Sequence, residues 1–187
     1  MWQSIITSLR MVAATMLVVV GGYTAVILGI ANLVTPTTAQ GSLVSDANGK
    51  VVGSRLIAQK FTAPRYFWPR PSAVDYNASG AGGSNKSPTN PDLTKRASET
   101  VTQYGATAER PLPAELAAAS GGGLDPHITE HAALYQAARI AVARNLSVDK
   151  VEDLVRSHSF VLGGFLNRER LVNVLEVNLA LDAEEMR

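Results

Sequence analysis

The 187-residue chain contains no cysteine, and this absence excludes disulfide bonds, cysteine-ligated zinc and thiol nucleophiles as a basis for its fold or chemistry. It also lacks an excess of charge of either sign, because 17 lysines and arginines stand against 16 aspartates and glutamates. Arg10 is the only charged side chain before Asp46, so the rest of the chain is formally neutral. Nucleic-acid binding requires a concentrated basic surface, and a neutral domain argues against a nucleic-acid partner.

Charge is absent throughout residues 11–34, where the sequence reads MVAATMLVVVGGYTAVILGIANLV. These roughly 24 residues would form a helix about 36 Å long, against a hydrocarbon core of about 30 Å. A cleaved signal peptide has an apolar region of only about 7–15 residues. The pattern therefore favours a retained transmembrane helix over residues 11–35, which Pro36 ends.

This helix divides the chain into residues 1–10, the helix at 11–35 and a domain at 36–187. Charged residues flank the helix in nearly equal numbers on its two sides, and large domains cross membranes largely regardless of charge. Arg10 and the terminal amine favour a cytoplasmic N-terminus. We therefore expect a single-pass protein of the inner (plasma) membrane, with its domain on the extracytoplasmic (periplasmic or extracellular) side.

Small residues recur every four positions within the apolar run, at Gly21, Ala25 and Gly29. This spacing predicts a face on which another membrane helix packs closely. Glycine is also common in membrane helices for other reasons, which leaves a second interpretation open.

Downstream of the helix, the sequence mixes strand and helix signals. The pair Asn48–Gly49 lies between two short apolar runs and predicts a hairpin turn, and residues 53–61 predict a further strand. Apolar periodicity and capping residues predict helices over 92–104, 129–144 and 148–158.

The C-terminal pattern admits two interpretations. Apolar residues alternate between 175 and 181 as in a strand, whereas Asn173 and Glu176 form the pattern of a capping box, which favours a helix over 174–182. The overall mixture predicts an α+β fold, with one N-terminal transmembrane helix followed by a single small mixed α/β domain.

Basic residues dominate between Lys50 and Arg70, where five lysines and arginines occur without an acidic residue. Such a run would suit lipid headgroups or an acidic partner, and it is equally compatible with an ordinary solvated surface.

The segment GAGGSNKS at 80–87 resembles a phosphate-binding loop but does not complete one. Asn85 replaces the second glycine of the pattern G-x-x-x-x-G-K-[ST]. Pro88 disfavours helical angles at Ser87, where a phosphate-binding helix would have to begin. We therefore predict no nucleotide phosphate site here.

No other motif predicts chemistry. His127 and His131 have a metal-ligand spacing, but Ile128 stands where a zinc protease has glutamate, and no third ligand is evident. The glycines after Ser120 do not form a G-x-S-x-G motif. We predict no catalytic residue, no metal ligand and no tightly bound cofactor.

The most unusual stretch, WPRPSAVDYNASGAGGSNKSPTNP at 68–91, instead predicts a shaped surface loop. Gly82 and Gly83 permit special backbone angles, Asn85 and Asn90 can bond neighbouring amides, and the prolines restrict the backbone. Aromatic residues flank it, which is unlike a disordered linker. Long ordered loops of this kind are usually functional, so we predict a docking surface for a partner.

Three blocks of sequence then identify a family: YFWPRPSAVDYNASGAGGSNKSPTNPDL, ASGGGLDPHIT and RLVNVLEVNLALD. Together with the single N-terminal membrane helix, they closely resemble the C subunits of bacterial high-affinity potassium-transporting P-type ATPases (Kdp complexes). The resemblance covers essentially the whole chain. Its matched positions, which we predict to be partner-contacting or loop-shaping residues, are Arg70, Pro71, Ser72, Tyr76, Gly83, Ser84, Asn85, Pro88, Asn90, Pro91, Ser120, Gly121, Leu124, Asp125, Pro126, His127, Asn173 and Asn178. Lys86, Ser87 and His131 depart from the family pattern.

The resemblance implies a non-catalytic accessory subunit that is needed for assembly and stability of a potassium-uptake complex. It implies a channel-like potassium-binding subunit, a P-type ATPase subunit, a small membrane peptide subunit and the lipid bilayer as partners. ATP and potassium would be handled by the complex, with this chain acting as a catalytic chaperone that raises the ATP affinity of the ATPase subunit. The alternatives are a membrane-anchored envelope scaffold or an enzyme unrelated to potassium transport.

Overall fold

The computed structural model describes residues 1–164 and 167–185, which form two compact units divided after Leu43. The first unit is one continuous helical run over Trp2–Val34. It comprises α1 (Trp2–Thr15), a π-helical stretch (Met16–Gly22) and α2 (Tyr23–Val34), and the short helix α3 (Pro36–Ala39) follows.

This helical run begins at Trp2, well before the apolar run that starts at Met11. Trp2, Ile5 and Leu9 recur at helical spacing and no proline interrupts them, so the helix continues through Arg10. A helix of 33 residues is about 50 Å long, which exceeds a hydrocarbon core of about 30 Å. It is apolar enough to cross a membrane, and its most apolar stretch has no buried residue.

A two-stranded sheet of β1 (Leu43–Ser45) and β2 (Val51–Ser54) follows, and all but its first residue belong to the second unit. Asp46 closes the predicted turn, because its side chain accepts the backbone N–H groups of Asn48 and Lys50, both at 2.9 Å. Gly49 has a φ of 78° there, as the turn requires. The hairpin prediction is confirmed.

The strand predicted over 53–61 is wrong, since β2 ends at Ser54. The backbone beyond it is bonded elsewhere: the carbonyl of Arg55 accepts from the Asn173 amide at 2.8 Å, and the N–H of Ala58 donates to Leu124 at 2.9 Å. These groups hold the segment against the end of β5 and the loop at Leu124 instead of extending a sheet.

The remaining elements alternate between helices and very short strands. In chain order they are α4 (Pro91–Tyr104), α5 (Ala114–Ala117), β3 (His127–Thr129), α6 (Glu130–Arg144), α7 (Val148–Ser157), β4 (Ser159–Val161), β5 (Arg170–Asn173) and α8 (Val174–Glu185). The predicted helices are confirmed. The side chains of Asn90, Thr129 and Ser147 cap α4, α6 and α7.

The last three strands form an antiparallel sheet in the order β3-β5-β4, with Ile128 opposite Val172 and Phe160 opposite Leu171. Helices α6, α7 and α8 supply most of the core beside it. The core residues are Phe67, Leu116, Ile128, Ala132, Ala133, Ala137, Ile140, Ala141, Val151, Val155, Val172, Val174, Val177 and Leu181. The described residues thus have the predicted mixed α/β fold and one apolar N-terminal helix.

Candidate partner-binding surface

Two buried amide side chains hold the start of the long loop. Asn178 on α8 accepts the N–H of Phe67 at 2.8 Å and donates to its carbonyl at 3.0 Å. Gln136 on α6 does the same for Trp68, at 2.8 and 3.1 Å. Each amide replaces the two hydrogen bonds that a neighbouring strand would supply, so this irregular backbone is buried without unpaired polar groups.

Arg139 locks the Trp68 side chain in place. Its guanidinium lies 3.7 Å from the centre of the indole ring and donates to the Gln136 side chain at 2.7 Å. Burial lowers the pKa of Arg139 to about 10, so the group stays charged at neutral pH. The Trp68 indole N–H donates to the carbonyl of Ala63 at 3.0 Å. The aromatic start of the loop is therefore rigid.

Ser72 is the centre of the next part of the loop. Its hydroxyl donates to the carbonyl of Gly123 at 2.6 Å and accepts the N–H groups of Val74 and Tyr76 at 3.2 and 2.9 Å. The Tyr76 hydroxyl donates back to the carbonyl of Arg70 at 2.8 Å, and burial raises the pKa of Tyr76 to about 12. A single serine thus joins this turn to the glycine-rich segment around residue 121.

The two glycine-rich segments cross each other at backbone contact. The N–H of Gly82 donates to the carbonyl of Gly122 at 2.9 Å. A Cβ atom at Gly83 would lie 2.8 Å from the carbonyl oxygen of Gly121. A Cβ at Gly123 would lie 2.7 Å from Val74. The absence of side chains is what allows this approach.

Arg70, Asp125 and His127 form a polar group beside the crossing. Arg70 Nη1 lies 3.2 Å from the Asp125 carboxylate and Nη2 lies 3.4 Å from the carbonyl of Ala119. The other Asp125 oxygen accepts the backbone N–H of His127 at 3.0 Å and lies 3.3 Å from its ring Nδ1. The hydrogen bond from the His127 side chain, reinforced by its backbone N–H and by Arg70, holds the pKa of Asp125 below its ordinary value of 3.8 against the opposing effect of burial.

Replacing Asp125 with asparagine is expected to destabilise the protein by about 1 kcal/mol at pH 7, because a half-exposed charged acceptor is lost. A carboxylate whose pKa is lowered by folding contributes stability above its unfolded pKa and loses it as the pH falls through the folded pKa. The gap in melting temperature between Asp125→Asn and the parent should therefore shrink below about pH 3.8. The exposed Asp153→Asn is the control, with little change expected at any pH; a gap that did not depend on pH would contradict this account.

The third block of sequence fits against the second. The N–H of Val174 donates to the carbonyl of Pro126 at 2.9 Å, and His127 lies opposite Asn173 in the sheet. The Asn173 side chain donates to the carbonyl of Arg55 at 2.8 Å and accepts the N–H of Glu176 at 3.2 Å, so it begins α8. Ser120, which is buried, donates its N–H to Pro71 at 3.1 Å and ties the second block to the first.

The remaining predicted residues lie at the end of the loop. Asn90 caps α4 by accepting the N–H of Asp92 at 2.9 Å, and Pro91 is the first residue of that helix. Asn85 is exposed with a φ of 50°, and Ser84 beside it is partly buried. Lys86 forms an ion pair with Asp92. Helix α4 begins only at Pro91, four residues after Ser87, and Lys86 is already paired. The described residues of this segment therefore do not have the geometry of a phosphate loop.

The basic run is largely neutralised by acids from distant parts of the sequence. Its ion pairs are Arg55–Glu176, Lys60–Asp75, Arg65–Glu185 and Arg70–Asp125. Four of the five cations therefore have an acidic partner within the domain. They do not form a free basic surface for lipid headgroups.

His127 and His131, whose spacing alone resembles that of metal ligands, make different contacts. His131 is exposed, and His127 contacts Asp125 and the ring of Phe160. Among residues 1–164 and 167–185, no group of three histidine, aspartate or glutamate side chains has the spacing of a metal site. The described side chains at this surface mostly form hydrogen bonds to the backbone of neighbouring segments.

The contacts that Gln136 and Arg139 make with Trp68 were not predicted. Both lie in an alanine-rich helical pattern, where a single glutamine gives no signal of the irregular backbone it will contact. The structure brings the other blocks together as one surface, formed by residues 68–91 and 118–127, which we call the docking surface.

Comparison with known proteins identifies the family. The family described as "KdpC: K+-transporting ATPase, c chain" matches residues 5–183. The potassium-transporting ATPase KdpC subunit of Parvibaculum lavamentivorans is 63% identical over 183 residues, covering 98% of each chain. The KdpC subunits of Citrifermentans bemidjiense and Methylococcus capsulatus are 48% and 49% identical, covering 91% and 86% of this chain and 92% and 87% of the relatives. The chain belongs to the KdpC family, the c chains of K+-transporting ATPases.

Proposed function

We propose that the chain is a non-catalytic accessory subunit of an ATP-driven potassium-uptake complex, and that it is needed for assembly and stability of that complex. The observation that carries this proposal is the docking surface, an irregular loop pair held rigidly by Asn178, Gln136 and Ser72. A loop whose shape is fixed before binding loses little entropy when a partner docks. The family of K+-transporting ATPase c chains gives the kind of complex.

The partners we propose are a channel-like potassium-binding subunit and a P-type ATPase subunit, with a small membrane peptide subunit beside them in the bilayer. The ATP and potassium chemistry would belong to these subunits. Co-expression of the other subunits without this chain tests the accessory role. We expect assembled complex to be lost from mild-detergent extracts, and recovery of a fully active complex without the chain would contradict the proposal.

The docking surface would lie outside the cell, with the N-terminus in the cytoplasm. Because the chain has no cysteine, this orientation can be tested by single-cysteine labelling in intact cells. Ser4→Cys and Ala143→Cys both lie at exposed positions, and Ala143 is outside the docking surface. A membrane-impermeant maleimide is expected to label the Ala143→Cys variant alone; labelling of the Ser4→Cys variant alone would indicate the opposite orientation.

A catalytic-chaperone role would then act at a distance. With the domain outside and ATP inside, a change in ATP affinity must pass through the membrane helix or through the partner subunits, as a coupling between separate sites. Measuring KM for ATP in complexes with and without the chain tests this role. A higher KM without the chain supports the role, and an equal KM would restrict the chain to assembly.

The membrane helix is expected to pack on a partner helix through Gly21, Ala25 and Gly29. Both glycines are exposed, and no atom lies within 4 Å of a Cβ built on either. Replacing both with leucine should block close approach and reduce the yield of complex in mild detergent several-fold. Val19→Leu with Ile27→Leu, off this stripe, is the matched control. Equal yields from the two double variants would exclude the glycine face as the packing surface.

A further inference from the structure

A cleft lies between α4 and the segment 60–76, beside the docking surface, with a volume of about 480 Å³. This is within the range of about 300–1,000 Å³ for sites that enclose a small group or side-chain cluster. Its walls include the rings of Trp68, Tyr76 and Tyr104. The Lys60–Asp75 ion pair, at 2.7 Å, lies at its edge and neutralises both of those charges.

Two hydrogen-bond donors in the wall of this cleft have no acceptor within the part of the chain that the structure describes. They are the hydroxyl of Tyr104 and the Nε–H of Arg96, and both atoms are buried. Burial raises the pKa of Tyr104, so its hydroxyl keeps its proton and remains a donor. Buried donors in native proteins are nearly always paired, so the unpaired Arg96 side chain, which lines this open cleft, favours an acceptor that arrives from outside.

Arg96 also differs from the other half-buried or buried arginines of the domain. Arg70 pairs with Asp125, Arg144 with Asp182, and Arg139 donates to Gln136. By contrast, within the described residues the Arg96 side chain makes no hydrogen bond and no ion pair. Single nitrogens of Arg70, Arg139 and Arg144 also lack a hydrogen bond in the described part of the chain, but each of these guanidinium groups has an internal acceptor through its other nitrogens. Arg96 lines the cleft without such an acceptor among the described residues, so the cleft is complementary to an incoming anion.

Glu99 gives the cleft a polarity. It follows Arg96 by one turn of α4, lines the same cleft and is exposed, yet no ion pair joins the two. An anion in the cleft is therefore favoured beside Arg96 and disfavoured beside Glu99. The aromatic rings that line the same cleft suit the apolar part of a side chain or its neighbour.

We propose that this cleft receives a carboxylate-bearing segment of a partner subunit, whose aspartate or glutamate oxygens accept hydrogen bonds from the Arg96 guanidinium. This proposal rests on the proposed function as an assembled subunit, and it names the chemistry by which the docking surface holds its partner. A protein carboxylate suits the site because the cleft adjoins the preformed loop on which a partner would lie.

The test is the retention of partner subunits by the tagged full-length chain in mild detergent, as salt is increased. Arg96→Gln is expected to lower retention about tenfold, since a charge-assisted hydrogen bond across the interface is lost. Its melting temperature should be unchanged or higher, because the arginine has no acceptor within the described part of the chain to lose. Lys95→Gln, the adjacent exposed cation on α4, is the matched control, with retention equal to the parent. Glu99→Gln is expected to raise retention, because it removes a negative charge from the cleft.

Equal loss of retention in Arg96→Gln and Lys95→Gln would overturn the proposal in favour of general electrostatic attraction. A lower melting temperature of Arg96→Gln would assign the arginine to folding. If the parent chain itself retained no partner, the proposed function would fail. If the parent retained its partners and Arg96→Gln did so equally, this inference alone would fail.

A second measurement identifies the occupant. Thr62 is exposed and lines the cleft, so a photo-crosslinking amino acid placed there in the assembled complex would report what enters it. We expect the crosslinked peptide to belong to a partner subunit and to contain an aspartate or glutamate within a few residues of the crosslink. Crosslinks to lipid, or to a peptide without an acidic residue, would overturn the proposal.

Discussion

Replacing Gly123 with alanine is expected to lower the free energy of unfolding by about 2–4 kcal/mol. The new Cβ would lie 2.7 Å from Val74 and 2.9 Å from the carbonyl oxygen of Gly82, and the φ of 70° is strained for any residue with a side chain. Neither contact can relax cheaply, because Val74 and Gly82 belong to the loop that crosses at this point. The variant should lose the shape of the docking surface as well as stability.

Gly122 offers the matched control. It is the adjacent residue, and a Cβ there would have no atom within 4 Å. Thermal unfolding of the full chain in detergent, followed through Trp68 fluorescence in a Trp2→Phe background, compares the two. A similar loss of stability in Gly122→Ala and Gly123→Ala would mean that the crossing does not depend on the absence of a side chain at Gly123.

Replacing Asn178 with leucine is expected to cost about 2–5 kcal/mol, since it leaves the buried N–H and carbonyl of Phe67 without partners. Leucine has a similar shape, so packing changes little and the loss reports the hydrogen bonds. Gln136→Met should likewise leave the N–H and carbonyl of Trp68 without partners, and it also removes the acceptor for Arg139.

Gln103→Met is the control for these amide replacements, because Gln103 is exposed on α4. Its effect should stay within about 0.5 kcal/mol. The same unfolding measurement distinguishes the two interpretations: if Asn178→Leu were as stable as Gln103→Met, the paired hydrogen bonds would not be what fixes the start of the loop.

The helices were predictable because their ends have local chemical signals. Asn90, Ser147 and Asn173 each bond an N–H of the first turn, and Gly105 ends α4 with a φ of 60°. Such contacts lie within four residues along the chain, so the sequence alone contains them. The conflict in the C-terminal pattern resolved in favour of the helix for the same reason.

The strands β3, β4 and β5 were not predictable, because three or four residues are too few to establish an alternating pattern. The pairing of β3 with β5 also joins residues more than forty positions apart, as between Ile128 and Val172. The strand predicted at 53–61 does not form, because distant groups such as the Asn173 side chain hydrogen-bond its backbone.

The docking surface was predictable as a rigid loop but not in how it is held. Asn85 adopts a positive φ of 50°, but Gly82 and Gly83, which were expected to need special backbone angles, do not have positive φ. The missing side chain of Gly83 instead allows the close approach to Gly121. The contacts that fix it come from Gln136 and Asn178, more than sixty residues away along the chain. Only the folded structure brings those amides to the backbone of Phe67 and Trp68.

The central claim, that this chain is an accessory subunit of a potassium-transporting ATPase, is tested most directly by its co-purification. The tagged full-length chain would be isolated in mild detergent from its own cells grown at limiting potassium. We predict that a multi-pass channel-like protein and a P-type ATPase come down with it in a defined complex. A chain that purifies alone under these conditions would contradict the account.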